Sequence, residues 1–204
     1  MTLISANHLQ TILEVIHSAN AHLEEFNTFR TEVLEAIRNI IQIDTANFFL
    51  FDENMVPYDP VALNIAEKYL HLYTDHFHRF NHFDPTYGCI KNRPAVTDNN
   101  LLPFSVFKKS YFYNEFLKVH NVHRQMVLYL QSEQKLLGFI GVHRSDENAE
   151  FKDWELAVAE KMAPLLSQSL EKAQFFQKTK SDQVYFQAIL NRTNAGVMLV
   201  GFDL

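Results

Sequence analysis

Between Leu9 and Ala19 the apolar residues Leu9, Ile12, Leu13, Ile16 and Ala19 return at three- and four-residue steps. That spacing predicts one face of a helix, which Ser5 is placed to cap. A second stripe, Phe29, Val33, Leu34, Ile37, Ile40 and Ile41, predicts a helix starting at about Asn27 or Thr28. The period then shortens. Thr45 to Asp52 is aromatic and β-rich, predicting a buried strand that stops at Asp52-Glu53-Asn54. Pro57 and Pro60 read as chain breaks, and a helix is expected from about Val61 to Arg79 or slightly beyond, before Asp84-Pro85 forces an extended turn.

Further on, Ala95 to Thr97 after Pro94 reads as a short strand. Asn99-Asn100 and Pro103 read as a loop, and Pro103 to Val119 as one or two short helices. Arg124 to Gln131 alternates Met126, Leu128 and Leu130 with Gln125, Val127, Tyr129 and Gln131, the period of a strand. With a turn over Ser132 to Gln134 and a return over Leu136 to His143, it predicts a hairpin. From Asp153 the helical period resumes through Trp154, Ala157, Val158, Met162, Leu165, Leu166, Leu170 and Ala173, and continues through Phe176, Val184 and Leu190. Asp153 and Glu155 complement the helix dipole in the first turn, and Pro164 is expected to kink the helix without ending it. At about 1.5 Å per residue such a helix outruns a domain of this size, so its outer part needs a partner. Gly196 to Val200 looks like a strand whose following hairpin is missing, which predicts a piece of a longer protein.

Composition narrows the function classes. A chain of 204 residues with 47% hydrophobic and 21% charged residues is ordinary globular material, enough for one well-cored domain. The net charge of −6 offers no counterion-release energy toward nucleic acid, and it does not suit an anionic membrane. The lone Cys89, the absence of a secretory pattern and the short longest apolar run together predict a cytoplasmic protein. Five glycines make a loop-built phosphate cradle improbable. No nucleophile elbow, dinucleotide fingerprint, phosphate loop or His-Glu-x-x-His occurs, so no catalytic residue, metal site or cofactor is assigned. An acceptor pattern for glycosylation at Asn191-Arg-Thr193 carries no weight in a cytoplasmic chain.

The candidate chemistry lies between Tyr69 and Phe116, where one residue in four is Phe or Tyr against 13% aromatic residues for the chain. Such a segment facing a sheet either walls a small-molecule cavity or fills a core, and both readings stay open. As a cavity wall the choice falls on Tyr87, Phe104, Phe107, Tyr111 and Phe112. His71, His76, His78 and His82 cluster in the same stretch. Only His78 and His82 have ligand-like spacing, and a solvated helix surface is the preferred reading over a metal. Lys108, Lys109, Lys118, His120, His123 and Arg124 form a basic run, read as offsetting nearby acids more readily than holding an acidic ligand. Cys89 reads as an idle thiol.

Several short motifs fall in a recognisable order: Ser110-Tyr-Phe-Tyr-Asn-Glu-Phe116, Leu137-Gly138 with Gly141-Val-His-Arg144, Phe151-Lys-Asp-Trp-Glu155 and Met162-Ala-Pro-Leu165. Together they resemble the GAF-like sensor region of LuxR-type transcriptional regulators, over about residues 45–175. The Tyr69-to-Tyr73 helix and Asp84-Pro85 fit the middle of the same pattern. The tail from Gln187 to Leu204 resembles the opening of a PAS-like segment. Departures from other GAF groups matter as well. Phe51-Asp52-Glu53 echoes only the end of a cyclic-nucleotide signature and sits in the wrong place, one cysteine is too few for a sulfoxide reductase, and no haem or bilin attachment context is present.

The resemblance implies an α+β fold with a mainly antiparallel central sheet flanked by helices, its long N- and C-terminal helices forming a dimer bundle. It divides the chain into N-terminal helices (1–42), the GAF-like sensor (43–175), a signalling helix (176–192) and the start of a truncated PAS-like segment (193–204). The implied protein is a non-catalytic homodimer that binds an unknown small molecule and no membrane, with DNA reached only through a helix-turn-helix absent from this chain. Fold analogy does not supply a ligand. A GAF domain of a sensor kinase or cyclic-dinucleotide enzyme, or a dimerisation module without a ligand, remain the alternative readings.

Overall fold

In the computed structural model, residues 6–85, 93–132 and 135–192 are described. Five antiparallel strands form one sheet in the order β2-β1-β5-β4-β3: β1 Thr45–Phe51, β2 Pro57–Leu63, β3 Ala95–Thr97, β4 Arg124–Ser132 and β5 Lys135–Arg144. The helices are α1 Ala6–Ala21, α2 Phe26–Ile40, α3 Glu67–Asp75, α4 Asp98–Leu101, α5 Phe104–Phe107 and α6 Asp153–Arg192.

Strand alternation splits the interior into two cores. Ala46, Phe48 and Leu50 of β1, Met126, Leu128 and Leu130 of β4, and Ile140 and Val142 of β5 face one way. They meet Phe29, Val33 and Ile37 of α2 and Val158, Met162 and Leu166 of α6. The opposite face presents Phe49, Phe51, Val127, Tyr129 and Phe139 to a cover built from residues 64–83 and 101–122. The result is helices, sheet and aromatic cover in three layers, two apolar cores sharing one sheet.

The prolines at 57 and 60 do not break the chain: they lie within β2, and the helix expected from Val61 begins instead at Glu67. Proline cannot donate to a ladder, but β2 is an edge strand, where that loss is tolerated. The register shifts opposite Phe48 and Leu50, and Asp59 there adopts a left-handed φ of 47°. Arg30 of α2, fully buried, donates from Nη1 to the Asp59 carbonyl at 2.5 Å and from Nη2 to its carboxylate at 3.0 Å. After α3 the chain tightens into a separate 3₁₀ turn, Phe77–Phe80.

The long helix expected from Asp153 is present as one element of 40 residues with Pro164 inside it. Its first half packs on β3 and β4, and Ser167 Oγ accepts from the Gln131 amide at 2.9 Å while donating to the Ala163 carbonyl at 2.7 Å. Residues 175–191 are exposed without a break. Among the described residues no helix is long and apolar enough to cross a membrane. Ser5, the turn residues 133–134, Gly88, Cys89 and the tail read as strand-like and PAS-like at 193–204 lie outside the described residues.

Candidate functional site

Three cross-strand rows on the covered face of the sheet set the site. Thr45, His143 and Gln125 stand side by side on β1, β5 and β4; the next row is Asn47, Gly141 and Val127; the third is Phe49, Phe139 and Tyr129. Polarity therefore grades from one end of this face to the other. At the centre stands Gly141, which has no side chain and helps line the floor of a cavity of about 120 Å³. A Cβ placed there would meet Asn47 Oδ1 at 2.8 Å and His143 Nε2 at 3.2 Å, so both polar groups converge over the glycine.

The cover lies over this space and leaves it partly open. The β2–α3 connection supplies Asn64 to Ala66, α3 supplies Tyr69, Leu70 and Tyr73, and the 112–122 segment supplies Phe112, Phe116, Leu117, His120 and Val122. That last segment includes a π-helical turn, Tyr113–Leu117, whose wide winding breaks the ordinary 3.6-residue spacing. Tyr73 is the hub of the aromatic end. Its ring lies 5.1 Å from Phe49, 5.9 Å from Phe116 and 6.3 Å from Phe112, and its hydroxyl accepts from Asn81 Nδ2 at 2.9 Å. Burial pushes the Tyr73 phenol well above its usual pKa, so it stays protonated. His120 roofs the polar end, with its ring 3.8 Å from Tyr69 and 4.9 Å from Phe116.

The electrostatics are those of a neutral site. His143 is buried, its Nδ1 3.0 Å from Thr45 Oγ1, and desolvation lowers its pKa to about 4. Burial, with a smaller contribution from Lys68, also lowers the pKa of His120. No Asp, Glu, Lys or Arg stands among the described wall residues. Asn47 Oδ1, Gln125 Oε1 and His120 Nε2 are buried without a hydrogen-bond partner. Buried polar atoms are nearly always paired, and three of the six unpartnered ones among the described residues line this one cavity.

Of the five wall residues chosen from sequence, Phe112 lies on this cavity. Phe107 is buried beside Phe83 and Tyr113 instead. Phe104 is half-buried, with the Arg124 guanidinium 3.6 Å from its ring centre. Tyr111 is 51% exposed on the outside of the cover, against Phe77 and Phe80. Tyr87 lies outside the described residues. The basic run disperses: Lys108 pairs with Glu147, Arg124 with Glu150 at 2.6 Å and Asp98 at 3.5 Å, and His123 Nδ1 lies 2.7 Å from the Tyr113 hydroxyl. Among the described residues no three His, Cys, Asp or Glu side chains converge as metal ligands would. The polar floor of Asn47, Gln125 and His143 was not singled out from sequence. Its signal was the run of polar and glycine positions on the strand face that elsewhere carries Phe49, Tyr129 and Phe139.

No protein-family model matches the sequence, and comparison with curated proteins finds no relative. Solved structures share the fold. The LBD domain of VqsR from Pseudomonas aeruginosa aligns with a TM-score of 0.59 at 11% identity, over 84% of this chain and 99% of that one. Residues 1–171 of SdiA from E. coli align at 0.56 and 15% identity, over 83% and 93%. The GAF domain of the Acinetobacter phosphoenolpyruvate-protein phosphotransferase aligns at 0.59 and 12% identity, over 85% and 99%. At these identities the likeness carries the fold alone, and the fold is GAF-like α+β.

Proposed function

We propose that this chain is the small-molecule-sensing and dimerisation module of a bacterial signalling protein, most specifically a LuxR-type transcriptional regulator. The observation that carries the reading is the partly open cavity between sheet and cover, on which three buried polar atoms lack partners. A bound molecule that supplies those partners offsets the desolvation cost of burying them. The LuxR-type assignment draws support from the ordered motifs at 110–116, 137–144, 151–155 and 162–165, and from the fold shared with VqsR and SdiA.

The module binds and does not catalyse. The described wall offers carboxamides, neutral imidazoles and phenols, with no carboxylate or thiol to act as base or nucleophile. Contact with DNA belongs to another part of such a regulator, since this chain carries a net charge of −6. Binding favours the arrangement in which the cover is seated on β1, β4 and β5, to the extent that the ligand prefers that arrangement over others. The sheet passes the change to α6, which packs on β3 and β4 and is tied to Gln131 through Ser167. Dimerisation uses the apolar residues that α1 and α6 leave in solvent.

A thermal-shift screen of the purified chain against a metabolite collection tests the reading. Compounds that raise the melting temperature in a concentration-dependent way are expected. If none does so, the module is a spacer that only dimerises.

A further inference from the structure

The cavity also restricts the chemistry of what it takes. We infer that its ligand is an uncharged molecule of about one ring. It donates an N–H or O–H to the side-chain oxygens of Asn47 and Gln125, beside His143, and lays an apolar face against Phe49, Phe112 and Phe139. This inference rests on the sensing role proposed above and goes beyond it.

Size comes first. A volume of about 120 Å³ is close to that of engineered cavities of roughly 150 Å³ that admit a single aromatic ring. Polarity comes next. Gln125 is 4% exposed, and its side-chain oxygen has no partner; the same is true of the Asn47 oxygen that meets the space above Gly141. Two unpartnered acceptors on one floor ask for a donor. His143 is fixed from behind by Thr45 through Nδ1, which leaves Nε2 directed over Gly141 as a further polar contact.

Charge follows from what the strands place elsewhere. Arg124 and Arg144 are sequence neighbours of Gln125 and His143, so alternation turns them off the cavity floor. There they are engaged with Glu150 at 2.6 Å and Glu155 at 2.6 Å. Lys68 is exposed and lies over the Tyr69 ring, 4.8 Å from its centre, at the rim. An ion buried here would lose its hydration without meeting an opposite charge.

The test uses the full chain at pH 7 and three probes of one shape, with affinities read by calorimetry or ligand-observed NMR. Benzamide is neutral and donates, acetophenone is neutral and does not donate, and benzoate is charged. Benzamide is expected to bind about tenfold or more tightly than either of the others, a difference of about 1.4 kcal/mol. Asn47→Leu and Gln125→Leu are each expected to erase most of its advantage over acetophenone. Acetophenone binding as well as benzamide overturns the donor requirement, and benzoate binding as well overturns the neutral-ligand assignment. If none of the three binds at millimolar concentration while other metabolites raise the melting temperature, this inference fails and the sensing role stands. If no compound of either set acts, both fail.

Discussion

Gly138 and Gly141 sit three residues apart on β5, and a methyl group added at each meets very different neighbours. At 138 the new Cβ would lie 2.3 Å from the Phe49 carbonyl oxygen, so β1 itself must move away from β5. At 141 it meets only the ends of the Asn47 and His143 side chains. Gly138→Ala is therefore expected to cost about 3 kcal/mol, and Gly141→Ala about 1 kcal/mol or less, in urea denaturation. Equal costs would contradict the contrast between a backbone neighbour at 138 and side-chain ends at 141. His143 adds a dependence on pH. Its folded pKa of about 4 lies below the ordinary value of 6.5, so protons bind the unfolded chain first. Its contribution to stability is full above about pH 6.5 and is lost as the pH falls toward 4, on the order of 2 kcal/mol by pH 5. His143→Gln is expected to flatten that limb of the stability profile. An unchanged slope would mean that the imidazole is not held neutral. Both features were present in the sequence as letters, Gly141-Val-His143. Their meaning depended on which strands flank β5, which local pattern does not state.

Elements whose burial follows a simple period were legible. The Thr45–Phe51 strand, the β4–β5 hairpin and α6 from Asp153 all match their expected positions, because alternation or the 3.6-residue repeat reports directly on one buried face. β2 was not, because Pro57 and Pro60 announce a break in any local reading. The strand survives there through a long-range contact, Arg30 to Asp59, that bridges 29 positions of sequence. Arg30→Ala is expected to cost about 2–3 kcal/mol, measured by chemical denaturation, from lost packing and from releasing the left-handed Asp59. A cost under about 0.5 kcal/mol would show that the β2 bulge stands without the clamp. The cover was legible as aromatic but not as a surface with an inside and an outside. Phe112 faces the cavity and its neighbour Tyr111 faces solvent, since successive helical residues point about 100° apart.

At the scale of the molecule, α6 is the feature that most needs an explanation. Forty residues make a helix of about 60 Å, and Phe175, Val184, Tyr185 and Phe186 are each more than 60% exposed on its outer half. A lone helix of that composition gains little from water, and a second copy would bury those side chains. Leu9 and Leu13 on α1 are exposed in the same way, at 51% and 63%. Sedimentation of the wild-type chain at micromolar concentration is expected to give a dimer, and Tyr185→Glu with Phe186→Glu a folded monomer. A wild-type monomer would remove the dimer from the account.

Everything proposed for this chain turns on whether the cavity lined by Gly141 takes a small molecule. A ligand-observed NMR screen of small fragments, run in parallel on the wild-type chain and on Gly141→Val, tests it most directly. Fragment hits on the wild type are expected to weaken at least tenfold in the variant, with the variant still folded by circular dichroism. Hits that bind both proteins equally, or no hits at all, would contradict it.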